Sequence, residues 1–578
     1  MAESMGGDSN ASVATLLAWI VIALATVLLS GPQIERLGLY YDEAFIAQQG
    51  RDFVEPEHAA IHPPSVTTAV VAGRPFPIRN AAYLGSLKSQ LAIPSFALFG
   101  ASKSTLRYAT LAVGLLGLLF AMLAVRHLFG AGVAIVSGLL VATDPAFHFF
   151  AQFEWGPFTS LFLCRGLGVY LLIVAAKSRS PGANSAAWVG SAICFGLGVY
   201  SRVDFGVILV GFAVATLLAA RPWLGRVLRE QRTQLVFAAI AFALAVSPVL
   251  VVLAEVFGAG AGISDRGDLG YRVQVLVSAF DGSHWARLLD VGGLFDEMFA
   301  NDARTSVFPA VLAASCLGAL VLAARNEDES RASIAWLFVA LLATAAMMLA
   351  IPGAVRAHHM LNLSPLPQIV VAVAAVLGWR AAYRSESTRA MSRVGIAITM
   401  TLCLASNLAV AWETARTMRD TEGTGRFSRS LEDFAATLDA SPTASTTEVV
   451  ALDWGFYEPV HFSTRHITSR EPIWKIGEAM TRGGAWQSEG DAKTIYLFHE
   501  GAYDLFGLGD PFARLLRIHE ARVATQEHRD GRGEVAFKSA RFDAPHTLSF
   551  AGRSGEAGGF RLRWRPAEPP PPVPAAQP

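Results

Sequence analysis

The stretch Tyr40-Tyr41-Asp42-Glu43-Ala44-Phe45 sets two adjacent carboxylates shortly beyond an apolar run, Ser12 to Ser30, that is long enough to cross a bilayer. A carboxylate at a membrane surface can take the proton from an attacking hydroxyl as a general base. Three other segments carry groups suited to the same chemistry. The segment Asp144-Pro145-Ala146-Phe147-His148-Phe149-Phe150-Ala151-Gln152-Phe153-Glu154-Trp155-Gly156 places another carboxylate, Glu154, at the same face, Arg202 and Asp204 interrupt two short apolar runs, and Arg356-Ala357-His358-His359 precedes a Pro365-Leu366-Pro367 turn. Arginines can grip a leaving phosphate bidentately and stabilise its growing charge. The set therefore suits transfer from a lipid-linked phosphate donor, with Lys88 counted among the phosphate-binding cations. Each residue also has an ordinary explanation: loops beyond spans are polar, Arg202 can snorkel to the interface, and two histidines can simply be interfacial. Arg165 falls near the middle of an apolar run, where a charge normally faces a partner or a wet cavity. Asp144 is its expected partner, and a pair that fixes helix register explains it as well as a functional role does.

These residues are positioned by a membrane scaffold. Of 578 residues, 53% are hydrophobic and 16% charged, and the apolar residues gather in runs of the length needed to span a bilayer as helices. The formal net charge of +0 gives no basic field that would argue for nucleic acid. Cys164, Cys194, Cys316 and Cys403 all fall inside apolar runs, so they read as small buried side chains rather than disulfides or metal ligands. The first run lacks a basic n-region and a small-x-small cleavage site, which suits a retained anchor. Further spans are expected over 107–126, 131–150, 156–176, 186–200, 203–220, 234–257, 305–324, 332–351, 363–380 and 393–413.

Sidedness follows from the basic loops. Arg221, Arg226, Arg229 and Arg232 mark one cytoplasmic loop, and Arg380, Arg384, Arg389 and Arg393 mark another. The apolar stretch from Tyr83 to Gly100 must then lie in the interface, because counting it as a span turns every later basic loop outward. Its Lys88, Gln90 and Pro94 fit that reading. The expectation is an α-helical polytopic protein of about eleven spans, with its N-terminus inside and its C-terminus outside. Residues 31–106 form a first external loop with interfacial helices. Residues 258–304 form a second, holding Asp265, Arg266, Asp268, His284, Trp285, Asp296 and Glu297. After Glu413 the composition becomes that of a soluble domain, and short β-type runs at 448–452 and 494–498 alternate with a helical segment at 428–438. A small extracytoplasmic α/β domain is expected over 414–565, with a Pro-rich, disordered tail over 566–578. In that domain Asp453-Trp454-Gly455-Phe456-Tyr457-Glu458 suggests either sugar stacking or, more simply, a buried aromatic after a strand.

Over 1–413 the order of elements resembles the glycosyltransferase-C superfamily, especially bacterial members similar to protein O-mannosyltransferases and the aminoarabinose transferase of lipid A. A first span is followed by the acidic Tyr41-Asp42-Glu43-Ala44, an interfacial helix ending in Phe99-Gly100, and Leu106-Arg107-Tyr108 opening a span that closes with Leu128-Phe129-Gly130. The next span ends in Asp144-Pro145 and Gln152-x-Glu154. The resemblance implies inverting transfer from a polyprenyl-phosphate sugar to an acceptor glycan, lipid or protein on the outer face of a bacterial inner membrane. Asp42 takes the position of the catalytic carboxylate, Glu43 and Glu154 assist binding, Arg202 lies near the lipid phosphate, and the Arg356 to Pro367 segment lies near the donor. His358 and His359 depart from the family's aromatic-rich pattern there. Some relatives use a divalent metal and others do not. A transporter or flippase for a lipid-linked glycan, or a non-catalytic membrane scaffold, are the competing readings; a transporter needs charges along a path at the bilayer midplane, where only Arg165 is deep.

Overall fold

The computed structural model describes residues 2–58, 66–81, 83–154, 156–177, 181–251, 269–292, 304–325, 329–351, 356–382, 389–481, 484–552 and 560–566. Trp155, Asp265, Arg266, Asp268, Asp296, Glu297 and the tail from 567 lie outside them. The chain divides into two compact units. The first comprises Met1–Arg36, Phe45–Leu289 and Glu297–Arg419; the second comprises Leu37–Ala44, Asp290–Asp296 and Asp420–Pro578.

The first unit is helical. Six helices are long and apolar enough to cross a membrane, and the number reaches nine if three bent helix pairs each count as one span. The sequence reading of about eleven exceeds this. Among the described residues each of the eleven expected segments contains helix, but Phe308–Arg325 is a shorter apolar helix, and Pro181–Ser201, diluted by Asn184, Ser185 and Ser191, does not qualify as a span. The breaks have local causes. The expected span over 131–150 bends by 66° where Ala131–Thr143 gives way to Pro145–Gln152. Asp144 Oδ1 accepts the Ala146 N–H at 2.8 Å as an N-cap, and Pro145, which has no N–H, opens the new helix. Val203–Ala219 turns by 101° into the Arg-rich Arg221–Glu230 helix, and Ala357–Leu363 meets Leu366–Ala381 at 45°.

The first loop is built, not loose. Three antiparallel strands, Thr67–Val71, Arg74–Ala81 and Leu84–Gly85, precede the Leu87–Phe99 helix. The Tyr200 hydroxyl donates to Ile78 O at 2.5 Å and accepts from Ser86 N at 3.2 Å and Gln90 Nε2 at 3.0 Å, so one phenol ties strand, turn and helix together. Buried Asn80 and Ser86 bond to Phe45, Ile46 and Gln49 of the Tyr41–Val54 helix, fixing that helix beside the loop sheet.

The second unit is α/β. Its five-stranded sheet runs in the order Thr468–Arg470, Glu448–Ala451, Thr494–Phe498, Val535–Phe542, Val523–Arg529. The first three strands are parallel and the last two antiparallel. Every residue of Thr494–Phe498 is buried, as expected for a strand covered on both faces. A second antiparallel sheet joins Ala485–Gly490, His546–Gly552 and Phe560–Pro566. The helix over 428–438 forms as Ser430–Asp439.

Candidate functional site

In the first unit the predicted cations come together around one loop. Lys88, in the first turn of the Leu87–Phe99 helix, sets its Nζ 2.7 Å from Glu154 Oε2, and the two side chains are 5% and 1% exposed. Glu154 Oε1 also accepts the Thr159 N–H at 2.9 Å, so the carboxylate starts the next helix while it holds the lysine. Both line a small cleft with Leu106, Thr110 and Ser160. Two residues on, Gly156 takes a φ of +83°, and a Cβ added there would lie 3.2 Å from Arg202 Nη1. Glu154 therefore holds Lys88, and Arg202 lies beside Gly156.

Arg202 follows the Pro181–Ser201 helix and forms a β-bridge with Leu84 of the first loop, which holds its backbone extended. Its Nη2 lies 2.9 Å from Asp204 Oδ2, and the same oxygen is 3.0 Å from His359 Nδ1. His358 and His359 stack with ring centroids 4.3 Å apart. Arg356 opens their short helix and lies within electrostatic range of His358 and His284. His284 is 2% exposed, and neither of its ring nitrogens has a hydrogen-bond partner among the described residues. Burial first, then the Arg356 charge, hold this imidazole down to about 3, so it stays neutral. Lys88, Glu154, Arg202, Asp204, Arg356, His358 and His359 thus belong to one connected region drawn from four chain segments. Such a cluster can hold an anion of phosphate type, with Arg202 supplying a planar fork and Lys88 a point charge.

Arg165 stands apart from its expected partner. It is buried in the Phe158–Lys177 helix and donates from Nη1 to the backbone oxygen of Asn362 at 2.6 Å, while Asp144 Oδ2 accepts from Gln368 Nε2 at 2.6 Å. The bend at Pro145 directs Asp144 to capping, so the expected Arg165–Asp144 pair gives way to a link between Arg165 and the segment after the histidines. Arg107, expected to open its span, sits one turn inside Lys103–Phe129, donates to Ile34 O at 2.6 Å and lies over the Phe153 ring at 4.6 Å, bracing the loop that carries Glu154.

Asp42 and Glu43 occupy the first turn of Tyr41–Val54, where carboxylates suit the helix dipole. They are grouped with the second unit. Glu43 is 1% exposed and Asp42 half-buried. The preceding chain is stitched to the α/β domain: Gly38 N–H donates to Phe427 O at 2.8 Å, and a Cβ at Gly38 would stand 2.2 Å from Ser428 O, so only glycine fits. Tyr40 stacks on Phe427 at 4.7 Å, and Tyr41 packs on Trp454 at 4.6 Å. Trp454, in the motif the sequence left between sugar stacking and burial, is half-buried against these two tyrosines. The Tyr41 hydroxyl donates to Glu471 Oε2 at 3.0 Å, and the Trp474 indole N–H donates to the same oxygen at 2.9 Å. Burial, above all, raises the Glu471 carboxyl to about 7; burial, then Glu471, Glu458 and Asp42, hold the Tyr41 phenol well above its ordinary range.

Sequence reasoning missed Gly156, Tyr200 and Glu471. Gly156 alone carried a signal, as a glycine two residues past a candidate carboxylate; the partners of Tyr200 are 110 or more residues away, and the Tyr41 hydroxyl from which Glu471 accepts is 430 residues away. Among the described residues no group of three or more His, Cys, Asp or Glu side chains is arranged to hold a metal ion.

Helical spans with bent pairs, strands in the first loop and an α/β domain define a polytopic helical membrane protein. Residues 91–251 match the family described as dolichyl-phosphate-mannose-protein mannosyltransferase. The chain is similar to ArnT from Cupriavidus metallidurans bound to undecaprenyl phosphate, at 13% identity and a TM-score of 0.51, covering 90% of this chain and 97% of that one. It is also similar to the oligosaccharyltransferase of Archaeoglobus fulgidus tethered to an acceptor peptide, at 14% identity and a TM-score of 0.51, covering 89% of this chain and 69% of that one. No curated protein matches the sequence. At these identities the likeness establishes the fold.

Proposed function

We propose that this protein is an integral-membrane glycosyltransferase that moves a sugar from a polyprenyl-phosphate donor to an acceptor hydroxyl or amine on the outer face of a bacterial inner membrane, with inversion at the anomeric carbon. The observation that carries the reading is the pair of buried cations, Lys88 held by Glu154 and Arg202 held by Asp204 beside Gly156. Its fold is shared with a protein whose solved structure holds undecaprenyl phosphate. Lys88, Arg202 and Arg356 bind the donor phosphate, and His358 and His359 line the same region. Asp204 and Glu154 orient Arg202 and Lys88, and Arg165 steadies the segment carrying the histidines. Asp42 is the general base: it takes the proton as the acceptor oxygen or nitrogen attacks the anomeric carbon, and the C–O bond to the phosphate breaks with its electron pair passing to the phosphate oxygen. Glu43 supports acceptor binding, and the α/β domain lies outside the cytoplasm with Asp42.

The test is reconstituted protein given radiolabelled polyprenyl-phosphate sugars, comparing wild type with Asp42→Asn. Loss of a general base lowers transfer by roughly 10²–10⁴-fold. Transfer untouched by that substitution removes Asp42 from the base's role. Absence of transfer from every donor turns the reading toward a transporter or scaffold.

A further inference from the structure

Ligands of open α/β sheets bind beyond the carboxyl ends of the parallel strands. In the second unit the three parallel strands are Thr468–Arg470, Glu448–Ala451 and Thr494–Phe498. Immediately after them come Glu471, then Asp453 and Trp454, then His499. The Tyr40–Tyr41–Asp42 segment is bonded to this same edge through Trp454 and Glu471. Asp453 and His499 are consumed structurally: His499 Nδ1 lies 2.6 Å from Asp453 Oδ2, both side chains are buried, and Arg426 lies 3.6 Å from the same oxygen. What stays open is aromatic. Trp474 is 56% exposed and Phe506 36% exposed, and their rings meet edge to face at 5.2 Å and 85°, forming an L-shaped notch.

The bond from the Trp474 indole N–H to Glu471 holds this exposed ring in place. We propose that the Trp474–Phe506 notch is a saccharide subsite for the acceptor, in which the apolar C–H face of a pyranose stacks on Trp474 with its rim toward the acidic edge. Rigid aromatic faces beside carboxylates fit a sugar, which is apolar on its faces and polar on its rim. The Glu471 oxygen that orients Trp474 also takes the Tyr41 hydroxyl, and Asp42 is the next residue. The stacked sugar is therefore the one whose hydroxyl meets the base. This rests on the glycosyl-transfer reading for its role, but not for the binding itself.

The experiment needs no donor and no turnover. Full-length protein in detergent micelles is examined by saturation-transfer NMR with the methyl glycosides of mannose, glucose, galactose, N-acetylglucosamine and rhamnose. Wild type is compared with Trp474→Ala, Trp474→Phe, Phe506→Ala and Asp42→Asn. Transfer of saturation to the ring C–H protons of at least one glycoside is expected, weakened roughly tenfold by Trp474→Ala, as losing one stacked face implies. Trp474→Phe and Asp42→Asn are expected to retain it, so sugar binding that persists in the Asp42 variant separates the subsite from the catalytic assignment. No saturation transfer to any of the five probes, or equal transfer in wild type and Trp474→Ala, overturns the proposal. So does quenching of Trp474-dependent fluorescence by brominated phosphatidylcholine in reconstituted vesicles, which marks the notch as a lipid contact.

Discussion

Breaking the Lys88–Glu154 pair tests whether the predicted phosphate site is held together by charge. The ions are 2.7 Å apart with exposures of 5% and 1%. At an effective dielectric of about 20, charges at that separation attract by about 6 kcal/mol. Desolvation of both ions offsets most of this, yet removing one partner strands the other and costs about 3–5 kcal/mol. Glu154→Gln is the sharpest perturbation, because the amide keeps the oxygen that accepts the Thr159 N–H and removes only the charge. Lys88→Met keeps the stem in the cleft without the ammonium. In reversible unfolding from mixed micelles, each single variant is expected to lose about 3 kcal/mol, and the double variant about 4 kcal/mol rather than the additive sum of about 6, a coupling energy of about 2 kcal/mol. Additivity within about 0.5 kcal/mol refutes an energetically coupled pair. Donor binding separates the two roles. The double variant loses less stability than the additive sum but regains no affinity for undecaprenyl phosphate, because the phosphate-binding cation is gone.

Other outcomes follow from the same geometry. Gly156→Ala forces a non-glycine residue into the left-handed region, at a cost of about 1–2 kcal/mol, and presses a methyl against Arg202; donor affinity is expected to fall further than in Arg202→Lys if Arg202's position is critical, and unchanged affinity contradicts that placement. The raised Glu471 carboxyl means that the folded protein holds this proton more tightly than the unfolded chain. Its contribution to stability is therefore complete below the ordinary carboxylate range and declines as pH climbs toward about 7. Glu471→Gln is expected to flatten that part of the melting profile, and superimposable wild-type and variant profiles reject the assignment. A cysteine label replacing Lys103 is expected to react from the same side as a label in the α/β domain; reaction from the opposite side reverses the topology.

Apolar runs in the sequence located the long apolar helices among the described residues, because a lipid environment demands such runs whatever the packing around them, but they did not mark the Tyr41–Val54 or Arg221–Glu230 helices. Local chemistry also marked Asp42, Glu154, Arg202 and the two histidines as charges without an obvious reason to sit between apolar runs. The sequence did not reveal which runs break. Asp144 and Pro145 looked like the end of a span with a charge left for Arg165, whereas in the fold Asp144 caps a new helix and bonds Gln368, 224 residues away. Pairing is likewise tertiary. Lys88 finds Glu154, Arg202 finds Asp204 and His359, and Tyr41 finds Glu471, all but one across separations no periodicity encodes. Composition determined that this chain has a membrane-spanning scaffold and a soluble α/β part. Only the tertiary structure assigned the acidic segment at Asp42 to the α/β unit, because the contacts that hold it, Gly38 on Phe427 and Tyr41 on Trp454 and Glu471, join residues nearly four hundred or more positions apart.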